Sequence, residues 1–207
     1  MHIKKRGGGI ADYRSRRLNV SRILVLLKFP GSTHYYSPPS LQIRHQVRVH
    51  TRENRTAYLF AIIDCYTMEV VGKHIGYHCT SQDVKMAIDF AFLDRGIMQI
   101  KNVRIRSDNG TQFTSRIVDL FLSTRNIAHE RIHPATPKED THIESFNSIL
   151  EKEVIRRFEF SSFEDAENTI SRFITFYNNE RLHSAIDYRT PGEVYEKWKE
   201  NITEGSA

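Results

Sequence analysis

Residues 57–67, AYLFAIIDCYT, are an almost unbroken apolar run rich in strand-forming side chains. Such a run marks a central strand buried on both faces, so the chain around it has to supply a layer above and a layer below. The next segment, EVVGKHIGYH (69–78), alternates apolar and polar as a hairpin partner would, and LQIRHQVRVH (41–50) alternates more weakly at Ile43, Val47 and Val49. A helix is expected after residue 80, with Thr80 or Ser81 as N-cap and Asp83 close behind. Its apolar stripe is Val84, Ala87, Ile88, Ala91 and Phe92, and Gly96 ends it. A strand at 102–107, a helix near 115–125 and a strand near 128–132 follow, then a Pro-punctuated loop, HPATPKED (133–140). Helices are expected over about 140–157, 162–179 and 191–200. Two of them carry start signals, Ser161-Ser162 before Glu164-Asp165 and Thr190-Pro191-Gly192-Glu193. This order predicts an α/β fold, a mixed sheet flanked by helices, with further helices at the C-terminal end.

The basic residues are unevenly distributed. Residues 1–57 hold 12 Lys/Arg against two acids, Asp12 and Glu53, while the remaining residues hold 18 Lys/Arg against 23 acids. A basic front on a nearly neutral body is what a binder of phosphate backbone needs, although a solvated leader has the same composition. GGG (7–9), Pro30-Gly31 and Pro38-Pro39 break up the front, so residues 1–40 are expected to be a basic irregular segment and 41–200 the folded core with its helical extension. No run of ~18 apolar residues occurs, and ILVLL (23–27) is too short for a secretory signal. Cys65 and Cys79 have no paired spacing, which argues against a disulfide framework or a zinc knuckle. A cytoplasmic, prokaryotic protein without membrane contact is expected.

Two carboxylates stand in settings that suit metal chemistry. Asp108 lies in RIRSDNGTQFTS (104–115), a strand running into an Asp-Asn-Gly turn. Glu144 lies in HIESFNSILEKE (142–153), a helix on which Asn147, Ser148 and Glu151 share its face. Asp-Asn-Gly alone is ordinary turn chemistry, and a lone helical glutamate is ordinarily a solvated charge. A carboxylate at a strand end and another on a following helix can share divalent metals that activate a hydroxyl and stabilise a leaving oxygen in phosphodiester chemistry. The two motifs and their 36-residue separation resemble the retroviral-integrase-type catalytic core of insertion-sequence transposases, the Asp-Asp-Glu polynucleotidyl transferases. FYNNERLHSAIDYRTPGEVYE (176–196) resembles the tail of the same cores. In it Arg181 and His183 suit either contact with DNA phosphate or packing and capping.

The resemblance implies an RNase H-like fold, a role in DNA integration and transposition, and Mg²⁺ (or Mn²⁺) held by Asp108 and Glu144. It also implies DNA as partner, a homo-oligomer, and a separate DNA-binding transposase subunit. One part of the pattern is missing. The family's first aspartate falls on the strand ahead of the apolar run, where alignment places Arg44 or His45, and no Asp or Glu occurs anywhere in residues 13–52. Asp64 ends the second strand, where the resemblance implies a non-catalytic aspartate, with service as a substitute metal ligand as the alternative. An arginine would put a cation where divalent ions sit, and histidine suits magnesium poorly. The expectation is therefore a degenerate transposase core, with a catalytically inactive DNA-binding remnant as the alternative.

Overall fold

The computed structural model describes residues 40–43, 47–53, 55–95, 103–131 and 141–204. The expected basic segment (residues 1–39 of it), Arg44, His45 and the loop at 133–140 lie outside the described residues. Six strands form one mixed sheet: β1 (Ser40–Ile43), β2 (Val47–His50), β3 (Thr56–Asp64), β4 (Val70–Gly76), β5 (Arg104–Ser107) and β6 (Ala128–Arg131). Five helices flank it: α1 (Ser81–Arg95), α2 (Arg116–Ser123), α3 (Thr141–Leu150), α4 (Phe163–Asn179) and α5 (Pro191–Glu204). The mixed α/β architecture is the one expected from the sequence.

β3 is the central strand that its apolar run predicts. Phe60 and Ile62 point into a core completed by α1 and α2, while Leu59, Ala61 and Ile63 point into a second core completed by α3 and α4. All five residues of the predicted α1 stripe are buried in the first of these. A Cβ on Gly72 of β4 would meet the Ala87 carbonyl oxygen at 3.1 Å and the Ala91 Cβ at 3.2 Å, so α1 lies directly on β4 there. The helix starts also follow the sequence. Thr80, Ser162 and Thr190 accept the backbone N–H of Asp83, Asp165 and Glu193 at 3.3, 3.2 and 3.2 Å. The carboxylates of Asp83 and Glu193 answer with bonds to the Thr80 and Thr190 N–H at 2.8 Å each, and that of Asp165 accepts the Ser161 N–H at 2.9 Å.

The segment expected as one weak strand over 41–50 is divided. β1 and β2 both lie along the edge of β3 opposite β4, β1 at its end and β2 at its beginning. Ile43 faces Ile62 and Val47 faces Leu59, three intervening residues against two, so a single register cannot run through both. A shift of one residue exchanges the faces of a strand. Leu41 and Ile43 accordingly pack on the α1 side, whereas Val47 and Val49 pack on the α3 side.

Two buried amide side chains join the sheet to the helices on the α3 side. Gln42 of β1, 3% exposed, accepts the Ile143 N–H through Oε1 at 3.3 Å, which satisfies a first-turn amide of α3 that has no partner within its own helix. Asn178, near the end of α4, accepts the Val70 N–H and donates to the Val70 carbonyl, both at 3.0 Å, and so closes the free edge of β4. Gln42→Leu keeps the volume but strands the Ile143 amide, and Asn178→Leu strands both backbone groups of Val70. Each is expected to cost about 1–3 kcal/mol. Urea unfolding at unchanged m-value measures this, and a loss below ~0.5 kcal/mol would show that water replaces the side-chain partner.

Candidate active site

β5 runs parallel to β1, and their pairing ends at Ile43 opposite Ser107. Asp108 leaves β5 at that point. Its Oδ1 accepts the Gly110 N–H at 2.9 Å, the turn that Asp-Asn-Gly predicts. A Cβ on Gly110 would lie 2.7 Å from Gln112 Nε2 and 3.0 Å from this oxygen, so any larger residue would have to displace both side-chain ends. The loop is anchored beyond the turn by Phe113, which is buried and set edge-on against Phe60 at 5.8 Å, with its N–H on the Gly110 carbonyl at 2.9 Å. Ser115 then caps α2 by accepting the Val118 N–H at 3.3 Å.

Glu144 lies in the first turn of α3, where the positive end of the helix dipole favours a carboxylate. Ile143, Phe146 and Leu150 turn the inner face of α3 into the core. Glu144, Asn147 and Glu151 form a half-buried flank beside it, while Ser148, expected on the same face, is exposed. The expected helix over 140–157 is α-helical only to Leu150. Residues Glu151–Ile155 form a wider π-helical turn, in which the Arg156 N–H reaches the Glu151 carbonyl at 3.0 Å. This turn directs Glu153 to Arg181, at 2.7 Å, and Glu151 to Arg156, at 3.3 Å.

Gln42 relates the two motifs. It is paired with Arg106, two residues before Asp108, and its side chain holds Ile143, one residue before Glu144. The backbones carrying both acids are thereby brought to the end of the β1–β5 pair where both strands stop. Sequence reasoning missed Gln42, although a lone amide within a short apolar strand was its available signal. Among the described residues no group of three or more His, Cys, Asp or Glu converges as a metal site.

Asp64 lies in a different turn. It is 4% exposed, and its Oδ1 accepts the Tyr66 N–H at 2.9 Å, while its backbone closes the β3–β4 turn through Glu69 and Met68. It faces Leu41, which faces Ile105, so it lies two strands and three residues away from Asp108. Ladder spacings make that roughly 10 Å across and about 10 Å along. Of the two readings of Arg181 and His183, packing is the one the contacts support. Arg181 is paired with Glu153, and His183 lies edge-on against buried Tyr177 at 4.6 Å. Burial, followed by the neighbouring Arg181 charge, pushes the His183 ring below its ordinary pKa, and burial pushes the Tyr177 hydroxyl up to about 12.

Two family models, both described as integrase core domain, match residues 46–137 and 125–191. An uncharacterised 31.7 kDa protein of insertion element IS407 from Burkholderia multivorans is 28% identical over 143 residues, 69% of this chain and 50% of the relative. The transposase for insertion sequence element IS904 from Lactococcus lactis is 25% identical over 167 residues, 78% of this chain and 63% of the relative. The chain thus spans about half the length of the curated relatives it matches. Among solved structures, the HTLV-2 integrase catalytic core domain in complex with magnesium aligns with a TM-score of 0.57 at 16% identity, covering 75% of this chain and 95% of that one. The BIV integrase catalytic core domain aligns with a TM-score of 0.54 at 17% identity, covering 78% and 96%. These structural likenesses bear on the fold, which is that of integrase catalytic cores. The two adjoining integrase core domain models, which together run over residues 46–191, place this chain in the integrase core domain family.

Proposed function

We propose that this chain is the DNA strand-transfer core of an insertion-sequence transposase, that Asp108 and Glu144 are its metal-holding carboxylates, and that it is one carboxylate short of an active centre. The observation that carries the reading is the Gln42 tie, which draws the Asp108 and Glu144 motifs to one end of the β1–β5 pair. Their oxygens are the donors that Mg²⁺ or Mn²⁺ prefers. Their number falls short, because no third side chain of a suitable kind joins them among the described residues, and no acid occurs in residues 13–52. Magnesium needs near-octahedral oxygen coordination and gives up water reluctantly, so strand transfer does not follow from this donor set.

DNA is the partner this reading requires. The acid-poor front of the chain suits the phosphate backbone, which positions a protein without reading sequence. Recognition of particular DNA ends then falls to other contacts, for which further copies of the chain and a separate DNA-binding subunit are the proposed sources. The acid-free stretch also favours a second reading, a catalytically inactive core that still binds DNA.

DNA affinity should be largely indifferent to sequence and steeply dependent on salt, falling by about 10³-fold or more between 50 and 200 mM if six or more phosphates are engaged. Fluorescence anisotropy with unrelated duplexes measures this, and deleting residues 1–40 should remove most of the affinity. Retained affinity would move the binding surface onto the folded core.

Activity separates the two readings. The unmodified chain is expected to show little Mg²⁺-dependent cleavage or joining of labelled DNA ends, with only weak Mn²⁺ binding that Asp108→Asn and Glu144→Gln each abolish. Arg44→Asp or His45→Asp should raise Mn²⁺ affinity by about tenfold or more if that position belongs to the centre, since a carboxylate would replace a cation or a neutral ring. Failure of both leaves the inactive core as the better reading. Robust strand transfer by the unmodified chain, lost in Asp64→Asn, would show that the acids had been assigned wrongly.

A further inference from the structure

Ten large apolar side chains are exposed among the described residues, and five of them, Met86, Phe90, Leu93, Ile117 and Leu120, stand on α1 and α2. Val84, Ala87, Ile88, Ala91 and Phe92 fill the inner face of α1, so an ordinary surface helix would carry charge on the face opposite. Met86, Phe90 and Leu93 follow there at helical spacing instead, with uncharged Gln82 exposed one turn earlier. α2 repeats the arrangement, with Val118, Phe121 and Leu122 buried and Ile117 and Leu120 outside. Helices on the other side of the sheet keep the ordinary pattern. α4 exposes Glu164, Glu167, Asn168 and Arg172 along its first three turns, and α5 exposes Glu196, Lys197 and Glu200.

The two exposed sets belong to one surface. Lys85 Nζ of α1 lies 5.6 Å from the centre of the Phe121 ring of α2, and the Arg125 guanidinium lies over the same ring at 4.0 Å and reaches Asp89 at 2.9 Å. Residues 85 and 89 are thus level with 121 and 125, so the helices run parallel, and Met86 and Leu120 share one height along them. The five side chains are 48% to 62% exposed, which amounts to roughly 500 Å² of apolar surface, the size of the largest patch on an ordinary monomer.

We propose that the outward face of α1 and α2 is a dimer surface, covered in solution by the same face of a second copy of this chain. Area and charge both fit that occupant. A homodimer interface is about 65% apolar, so an apolar centre of ~500 Å² corresponds to about 800 Å² per partner, the area of a stable complex. A two-fold contact sets one patch against itself, so its edge needs both signs of charge. Lys85 and Arg125 supply the positive groups there and Asp89 the negative one. An uncharged centre offers a phosphate backbone no partner, which separates this surface from the DNA-binding one. Glu144, on α3, lies across the sheet from it, so pairing here leaves that helix uncovered. The dimer surface accommodates the further copies of the chain proposed above, and it stands whether or not Asp108 and Glu144 hold metal.

Sedimentation velocity of the nuclease-treated full chain tests it without DNA or metal, so the outcome is independent of the strand-transfer reading. At about 10 μM chain and about 0.5 M salt, where surface charge is screened, the chain should sediment as a dimer. Leu120→Glu and Phe90→Glu should each raise the dimer dissociation constant by about thirtyfold or more, the loss for a central interface residue. Leu182→Glu, at an exposed apolar position beyond α4, should leave it within about twofold. Carbene footprinting of the unmodified chain across a dilution series gives a second readout that needs no variant. Labelling of Phe90 and Leu120 should rise as the dimer dissociates, while that of Leu182 stays constant. A monomeric unmodified chain, a dimer dissolved by the salt, a constant unchanged by both glutamates, or equal labelling of Phe90 and Leu120 at every dilution would each overturn the proposal. Dimerisation only after deletion of residues 1–39 would overturn it as well, by showing that the chain covers this face itself.

Discussion

Burial of β3 on both faces is the constraint from which the rest of the architecture follows. Five consecutive side chains, Leu59 to Ile63, divide between two cores, and each large one buried contributes about 1.5–3 kcal/mol. Neither face can be left open to water at that cost. The α1–α2 layer and the α3–α4 layer are therefore obligatory, and with them come the two crossings that carry Asp108 out of β5 and Glu144 into α3. The candidate site lies at a strand end, one of the places where a sheet covered on both faces leaves backbone uncovered.

Apolar layers fix the helices against the sheet without fixing their position along it, since hydrophobic contact is non-directional. Position along the sheet is set by a few directional bonds. Gln42 ties the first turn of α3 to β1, and Asn178 ties the last turns of α4 to β4. Both side chains are buried amides, which combine an acceptor and donors without a charge to desolvate. The tail FYNNERLHSAIDYRTP contributes to the fold in this way, with Tyr177 in the core, Asn178 on the sheet edge and Arg181 on the π-helical turn after α3.

What was legible in the sequence is what depends on local periodicity. The central run of β3, the stripe of α1 and the caps at Thr80, Ser162 and Thr190 all follow from residues within a turn or a strand of one another. The unreadable parts depend on partners far along the chain. Nothing near Gln42 points to Ile143, and nothing near Asn178 points to Val70. The division of 41–50 was hidden for a related reason. Its alternation fits one strand, and only the partner residues on β3 show that the faces exchange between Ile43 and Val47.

Asp64 and Asp108 show most directly why local chemistry alone does not define the site. Both end strands, and both accept the N–H of the second residue on through Oδ1, at 2.9 Å in each case. At the level of the turn they are the same object. They differ in where the topology puts the turn. Asp64 ends β3 level with Leu41, near the start of the short β1, and is sealed in as the closure of a hairpin, 4% exposed. Asp108 ends β5 where two parallel strands stop together and where a helix N-terminus, held by Gln42, brings a second carboxylate motif. Parallel strands end on the same side, so their carboxyl ends gather loops from different parts of the chain, whereas an antiparallel hairpin returns only to itself. An aspartate at such a parallel end is placed to meet residues from other parts of the chain, whereas Asp64 sits in the hairpin turn that its own backbone and side chain close.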